Sequence, residues 1–584
     1  MRATSRIGIG MALAAALAVL PAAGAGAATN ETGLASRTPQ GRFPNGPSFH
    51  PAFSQDRKGA SLLAYDSLAS DIVPGDGNGM SDVFVVRRAR PFKPGARRAT
   101  PWRPGQTALV STGMGGQPAD GPSFLPDLDG DQLHGAHCVA FLSDATNLVP
   151  GDTNGKTDAF VKDLSKGSIV RVSVNSRGEQ ADGASYDVQV DGACDRAAFS
   201  SVATYLAFTA DQVPAPATIR SPLTGKQRRQ CRKLTPKKPC KFRQLKVTNR
   251  RAPAATSVPP AGTKQVYVRV LGGQPGDVGL VGLTFLASAS TGGEAGNGDS
   301  FDAAFGNLGA GCPAACGTTS GDAVAFTSTA SNLTGGDGNG VSDVYERSFR
   351  IPTLGFLDRR AKLPAYMKPL TQLVSANGGG QAGNAASDQP AVNDSGRFVG
   401  FRTAATDLFA GDSNGVTDVV HADMTRSPPR LVPVSFTSAG RRHGNAASSN
   451  PALTHSGTPI FFQTDADNLT ATPAPDRNCV ADVLSWTIGN SRLAVQSRDS
   501  SGHISGNPPN PKTDPCPAPA TAPASGPAAS YYGNYAAFED GNPLLDLAVA
   551  DAVYPGLRNN PAQAAAMATS EPSLHQVYLH FAGR

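Results

Sequence analysis

Beyond its first twenty residues the chain has no long apolar run, so no later segment is expected to cross a bilayer. It also lacks Cys-x2-Cys, the close paired spacing a thiolate zinc site needs, and it lacks His-Glu-x-x-His. Neither structural zinc nor a metalloprotease helix is expected. Long helices are excluded in another way, because 65 glycines and 47 prolines in 584 residues break the chain into short strands and turns. The reading that remains is all-β.

The one apolar segment is amino-terminal. Met1 to Arg6 carries two arginines, Ile7 to Leu20 is apolar, and small residues run from Pro21 to Ala28. That is the pattern of a signal peptide over residues 1–27, cleaved after Ala25-Gly26-Ala27, and no cysteine follows it to accept a lipid. A secreted or cell-envelope-associated monomer without a transmembrane span is expected, with one domain over 28–584. Eight cysteines suit an oxidising compartment. Cys231 with Cys240, and Cys312 with Cys316, are spaced to close small loops, while the pairing of Cys138, Cys194, Cys479 and Cys516 stays open.

An internal repeat organises the mature chain. Val139-Ala140-Phe141-Leu142-Ser143 matches Val324 to Ser328 and Val399 to Thr403, and weaker copies start at Leu63, Ala197, Ile460 and Ala536. Each is a short apolar strand, and each is followed by a second strand beginning at Asp82, Asp158, Gln265, Asp343, Asp418, Asp482 or Gln576. A third element ends in serine, as at Ser111, Ser173, Ser375 and Ser435. A turn then places glycine seven residues before serine, as at Gly116 and Ser123. The same turn occurs at Gly41 and Ser48, before any first strand has appeared. The amino terminus therefore supplies the end of a repeat and the carboxy terminus its beginning, which is how a ring of blades closes without an open edge. The expectation is a single β-propeller of seven four-stranded blades, six being the alternative, in which an N-terminal strand completes the last blade.

The loop between the first and second of these strands carries the repeated chemistry. Asp76, Asn78 and Asp82 recur as Asp152, Asn154 and Asp158, as Asp337, Asn339 and Asp343, as Asp412, Asn414 and Asp418, and, without the glycine, as Asp476, Asn478 and Asp482. Oxygen donors at positions one, three and seven around a glycine turn suit a hard cation, so structural calcium is one expectation. The other is a metal-free turn, since Asp and Asn cap their own backbone and Asn-Gly adopts positive φ readily. Gln265 and Gln576 replace the last aspartate in units three and seven, which are expected to lack a cation.

With these residues the repeat resembles the TolB-like, WD40-like (PD40-type) propeller repeats of bacterial exported proteins. Val139 to Val161 is the nearest copy. The resemblance spans nearly all of the mature chain and implies a propeller, often of six blades, that serves as a protein- or ligand-binding platform. Fold-level likeness does not assign function.

An insertion at 219–251 in unit three holds thirteen Lys and Arg and no acid. The chain's formal charge is +6, so without Arg2, Arg6 and this insertion the remainder carries about −9. A basic arm on an acidic ring predicts contact with polyanions such as cell-envelope polymers, a solvated loop being the alternative. Nucleic acid is not the expected partner, because Phe242 is the only aromatic in the arm. No catalytic residue and no other cofactor are assigned. Gly411-Asp412-Ser413-Asn414-Gly415 matches a nucleophile pattern, but Ser413 sits where sister loops have Gly77, Thr153 and Gly338. The reading is a secreted, non-catalytic binding scaffold, and the alternative is a hydrolase or lyase acting in the central channel.

Overall fold

The computed structural model describes residues 31–581 apart from 57–58, 91–99, 132–133, 210–216, 223–241, 248–253, 273–279, 307–321, 350–368, 438–441, 471–479, 489–491, 499, 501–503, 506–523, 531, 543–544 and 546–574. The expected signal peptide at 1–27, Asp476, Asn478 and all cysteines except Cys138 and Cys194 lie outside the described residues, as does most of the basic arm.

Strand β1 (Glu31–Leu34) precedes seven repeats. Blade one is β2 (Ser48–Phe53), β3 (Leu62–Ser67), β4 (Asp82–Arg88) and β5 (Pro104–Leu109), and blade two is β6 (Ser123–Leu128), β7 (Cys138–Ser143), β8 (Asp158–Asp163) and β9 (Ser168–Arg171). Blade three is β10 (Ser185–Val190), β11 (Arg196–Ser201), β14 (Gln265–Val270) and β15 (Thr284–Leu286). Between its second and third strands the hairpin β12 (Ala217–Pro222) and β13 (Phe242–Val247) is inserted, where the basic arm was read.

Blade four is β16 (Ser300–Phe305), β17 (Asp322–Ser328), β18 (Asp343–Phe349) and β19 (Leu370–Leu373), and blade five is β20 (Ser387–Val392), β21 (Phe398–Thr403), β22 (Asp418–Asp423) and β23 (Arg430–Pro433). Blade six is β24 (Ser448–Leu453), β25 (Ile460–Thr464), β26 (Asp482–Thr487) and β27 (Arg492–Val495). Blade seven takes β28 (Ser525–Ala529), β29 (Tyr535–Asp540) and β30 (Gln576–Phe581), and its fourth strand is β1, antiparallel to β30 from Glu31↔Phe581 to Leu34↔Tyr578. All neighbouring strands within a blade are antiparallel, so the fold is all-β with seven blades, not six, and the closure is the one the split repeat requires.

The two middle strands of a blade are buried on both faces because each blade is stacked between two others. Their aromatics meet across the pair, as in Tyr65 over Phe84 at 5.8 Å, Phe141 over Phe160 at 5.8 Å and Phe199 over Tyr267 at 5.7 Å between ring centroids. Offset ring pairs of this kind add stabilisation beyond their buried area.

Neighbouring blades are tied by one repeated bond. In blades one to six the first N–H of the inner strand donates to the carbonyl just before the third strand of the preceding blade, from Ser123 to Ser81 at 2.7 Å, from Ser185 to Thr157 at 2.8 Å and, across the ring closure, from Ser48 to His575 at 2.8 Å. In blade seven Ala524, just before β28, donates in the same way to Ala481. The Cys138–Cys194 disulfide joins blades two and three. No helix among the described residues is long and apolar enough to cross a membrane.

Candidate functional site

The serines expected to end the third elements lie just past the outer strands, turned inward. Ser111 Oγ donates to Asp82 Oδ1 at 2.5 Å and accepts from the Val83 N–H at 3.0 Å. Ser173 treats Asp158 and Ala159 in the same way, as Ser375 does Asp343 and Val344 and Ser435 does Asp418 and Val419. Ser497 does so with Asp482 and Val483. In the two blades that depart from the aspartate pattern, Ser288 donates to Gln265 at 2.6 Å and Ser36 to Gln576 at 2.7 Å. The glutamines thus keep the clasp and give up only the negative charge.

The remaining loop residues complete that clasp. Asn78 Nδ2 donates to Asp82 Oδ2 at 2.7 Å and its Oδ1 accepts from the Met80 N–H at 2.9 Å. Asn154, Asn339 and Asn414 repeat both contacts. A backbone N–H can only donate, so the amide orientation is set by the network, and the NH2 group faces the carboxylates. What differs between blades is the group between the first and last aspartates.

In blade two Arg171 Nη1 lies 3.1 Å from Asp152 and 3.1 Å from Asp158. Its register position is held by Leu109, Leu373 and Pro433 in other blades. In blade five His443 Nδ1 lies 3.2 Å from Asp418 and 3.8 Å from Asp412. In blades one and four no base stands there among the described residues. Burial, with the Asp82 charge second, pushes the Asp76 carboxyl up to about 6, and burial pushes Asp343 up to about 7.

The second candidate is the central channel, a cavity of about 530 Å³ lined by the inner strands of all seven blades. Asp127, Asp187, Asp302, Asp394 and Glu539 line it, and among the described residues His50 is its one basic side chain and neither Lys nor Arg contributes. Burial pushes Asp127 up to about 7 and Asp187 up to about 6, and it raises Asp302 and Asp394. A carboxylate in so enclosed a space gains from a cationic partner that restores its lost hydration.

The inner strands are bulged toward this space. Register shifts follow Phe49, Phe124, Phe301, Asp388 and Ser449, and the next residues, His50, Leu125, Asp302, Gln389 and Asn450, have φ between 50° and 54°. For non-glycine residues this conformation costs on the order of 1 kcal/mol or more each. It is held by the neighbouring blade: the N–H of His50 donates to Glu539 at 2.7 Å, that of Asp302 to Asp187 at 2.9 Å and that of Asn450 to Gln389 at 2.9 Å. The bulges re-aim side chains at the channel, as such irregularities do at functional sites.

At the other end of the channel, Asp–His pairs occur that the repeat does not share. His137 Nδ1 lies 2.8 Å from Asp129, His134 Nδ1 lies 2.9 Å from Asp131, and His455 pairs with Asp394 across blades five and six. Neither the channel acids nor Arg171 and His443 belong to the repeated motif read from the sequence. For Arg171 a signal exists, a lone charge at an otherwise apolar register.

No protein-family model matches the chain, and no curated protein matches it. Among solved structures, the putative TolB from Agrobacterium tumefaciens aligns at 10% identity and a TM-score of 0.29 over 67% of this chain and 83% of its own. The fold itself is a seven-bladed all-β propeller. TolB from Acinetobacter baumannii aligns at 10% identity and a TM-score of 0.30 over 77% of this chain and 63% of its own. Acylaminoacyl peptidase from Pyrococcus horikoshii aligns at 7% identity and a TM-score of 0.35 over 85% of this chain, which spans about half that peptidase's length, 49%. At these identities the likeness is one of fold alone.

Proposed function

We propose that the protein is an extracytoplasmic, non-catalytic propeller that receives a positively charged segment of a partner, a lysine- or arginine-bearing peptide, at its central channel. The observation that carries this reading is the sign of the lining, which among the described residues holds five carboxylates and no Lys or Arg. The disulfide supports an oxidising compartment. The arm at 219–251 offers a second, oppositely charged contact, for an anionic cell-envelope polymer.

The test is titration of a fluorescent oligolysine and an oligoglutamate into the mature protein, with Asp187→Asn/Asp302→Asn as the variant. Saturable oligolysine binding that weakens at least about tenfold in the variant, and weakens with added salt, supports the channel. Binding unchanged by the variant removes the channel as its site. The competing reading, a hydrolase or lyase, draws on the Asp394–His455 pair, since Asp394 lines the channel. His455→Ala should leave peptide binding intact, and a hydrolytic activity that it abolishes would replace the scaffold reading.

For the loops, we propose that calcium enters blades one and four, where no protein cation stands between the aspartates. A calcium-dependent rise in unfolding midpoint lost in Asp76→Asn/Asp337→Asn, yet kept in Asp152→Asn, supports this. No shift at millimolar calcium leaves the loops as hydrogen-bonded turns.

A further inference from the structure

We propose that blade five holds a transition-metal site made by Asp412, Asp418 and His443, selective for zinc-like ions over calcium. His443 Nδ1 faces Asp412 Oδ1 and Asp418 Oδ2, and one ligand atom from each of the three residues lies within 4.8 Å of the other two. The two measured edges are 3.2 Å and 3.8 Å. An ion held about 2.0–2.1 Å from each ligand at tetrahedral angles separates them by roughly 3.4 Å. Both edges that meet at His443 lie within about 0.4 Å of that separation, and the third is under 4.8 Å.

Two further observations distinguish this cluster from an ordinary acidic turn. The Asp412 side chain is 3% exposed, and its Oδ1 is buried without a hydrogen-bond donor. The His443 side chain is 6% exposed and aims Nδ1 between the carboxylates, wedged against Phe436 at 3.9 Å between ring centroids. In sister blades the bridge position of His443 is filled by Pro118, Gln180, Ala295, Ala382 and Ile504, none of them a strong metal ligand. Blade two shows the alternative, because Arg171 contacts both of its aspartates at 3.1 Å and fills the same space with a fixed charge.

The donor set decides the ion class. Calcium takes six to eight oxygen ligands, whereas the third donor here is an imidazole nitrogen, which blades one and four do not offer. Imidazole with carboxylate suits zinc, manganese or iron. A fourth position is left for water, backbone or an exogenous ligand.

The experiment uses the mature protein with any affinity tag removed. Zn²⁺ is titrated calorimetrically into wild type, His443→Ala and Asp412→Asn, and Co²⁺ is used as an absorbance probe of nitrogen and oxygen coordination. Wild type should bind one Zn²⁺ more than either variant, or bind it at least about tenfold more tightly, since removing a direct ligand costs no less than removing its support. An equal concentration of calcium should not displace it. Equal Zn²⁺ binding in wild type and both variants overturns the proposal and makes His443 a counter-ion like Arg171. So does displacement by calcium. Should His443→Ala fail to fold by circular dichroism, Asp412→Asn and the wild-type Co²⁺ spectrum decide, and a spectrum without imidazole-bound cobalt bands sinks the site.

Discussion

Glu346 on β18 is 5% exposed, and one of its carboxylate oxygens has no hydrogen-bond partner. Burial pushes its carboxyl up to about 8, so at neutral pH the folded protein carries it neutral while the unfolded chain ionises it. A raised carboxyl pKa makes stability fall as pH climbs from the unfolded value toward the folded one. Between pH 4.5 and 8 Glu346 should cost the fold progressively, reaching about 3 kcal/mol at pH 7. Glu346→Gln should therefore raise the denaturant midpoint at pH 8 and have little effect near pH 4.5, and equal midpoints at pH 8 would refute the buried, neutral acid. Such residues are hard to read from a linear chain. Glu346 lies in a strand whose neighbours Val344 and Tyr345 announce burial, but alternation assigns it to a face that only the adjoining blade seals.

At the scale of the strand and its loop, the clasp is the unit that recurs. Ser375→Ala would strip a donor from buried Asp343 and an acceptor from the Val344 N–H, at a cost of about 1–3 kcal/mol. Ser288→Ala, clasping Gln265 instead, should cost less, because no charge is left unpaired. Chemical denaturation of the two variants side by side measures the difference. The strands themselves were legible, since all seven Val-Ala-Phe copies and all seven second runs fall on the two middle strands of their blades. The bulged inner strands were not. They carry few apolar residues, and their conformation is set by hydrogen bonds from the preceding blade, which local pattern cannot reveal. The loop aspartates were found as a motif, yet Arg171 and His443, which distinguish blades two and five, come from a different strand and turn about 20 to 30 residues on and meet them only in three dimensions.

For the whole ring, two constraints act on top of packing. The Cys138–Cys194 bridge spans 56 residues, a loop length for which cross-linking is worth about 4 kcal/mol through the unfolded chain. Cys138→Ser/Cys194→Ser should lower the unfolding midpoint accordingly, and a midpoint equal to that of wild type would refute the contribution of this bridge. The other constraint is the β1–β30 pairing. Deleting residues 31–34 uncovers one edge of β30, so the shortened protein should aggregate or dimerise through that edge, as gel filtration would show; a stable monomer with an unchanged midpoint would mean that the seam is held by blade packing alone. That the chain closes this way was readable because a fragment of repeat stood at each end. Seven rather than six blades was also countable, once units three and seven were admitted despite their altered loops.

Partnering the first described strand with the last sets an order of events during synthesis. Blades one to six consist of strands contiguous in the chain and can assemble as they emerge. Blade seven cannot, because Glu31 waits for Phe581. Among the described residues the pairing most distant in sequence is thus also the last available, and contacts so distant form slowly. Until they form, the ring is an open arc with two unpaired sheet faces, and a chain stalled or clipped before Gln576 has no native way to cover them. Ring closure therefore makes the first blades hostage to the last described strand: the pairing edge of β1 stays open until Gln576 to Phe581 has been made.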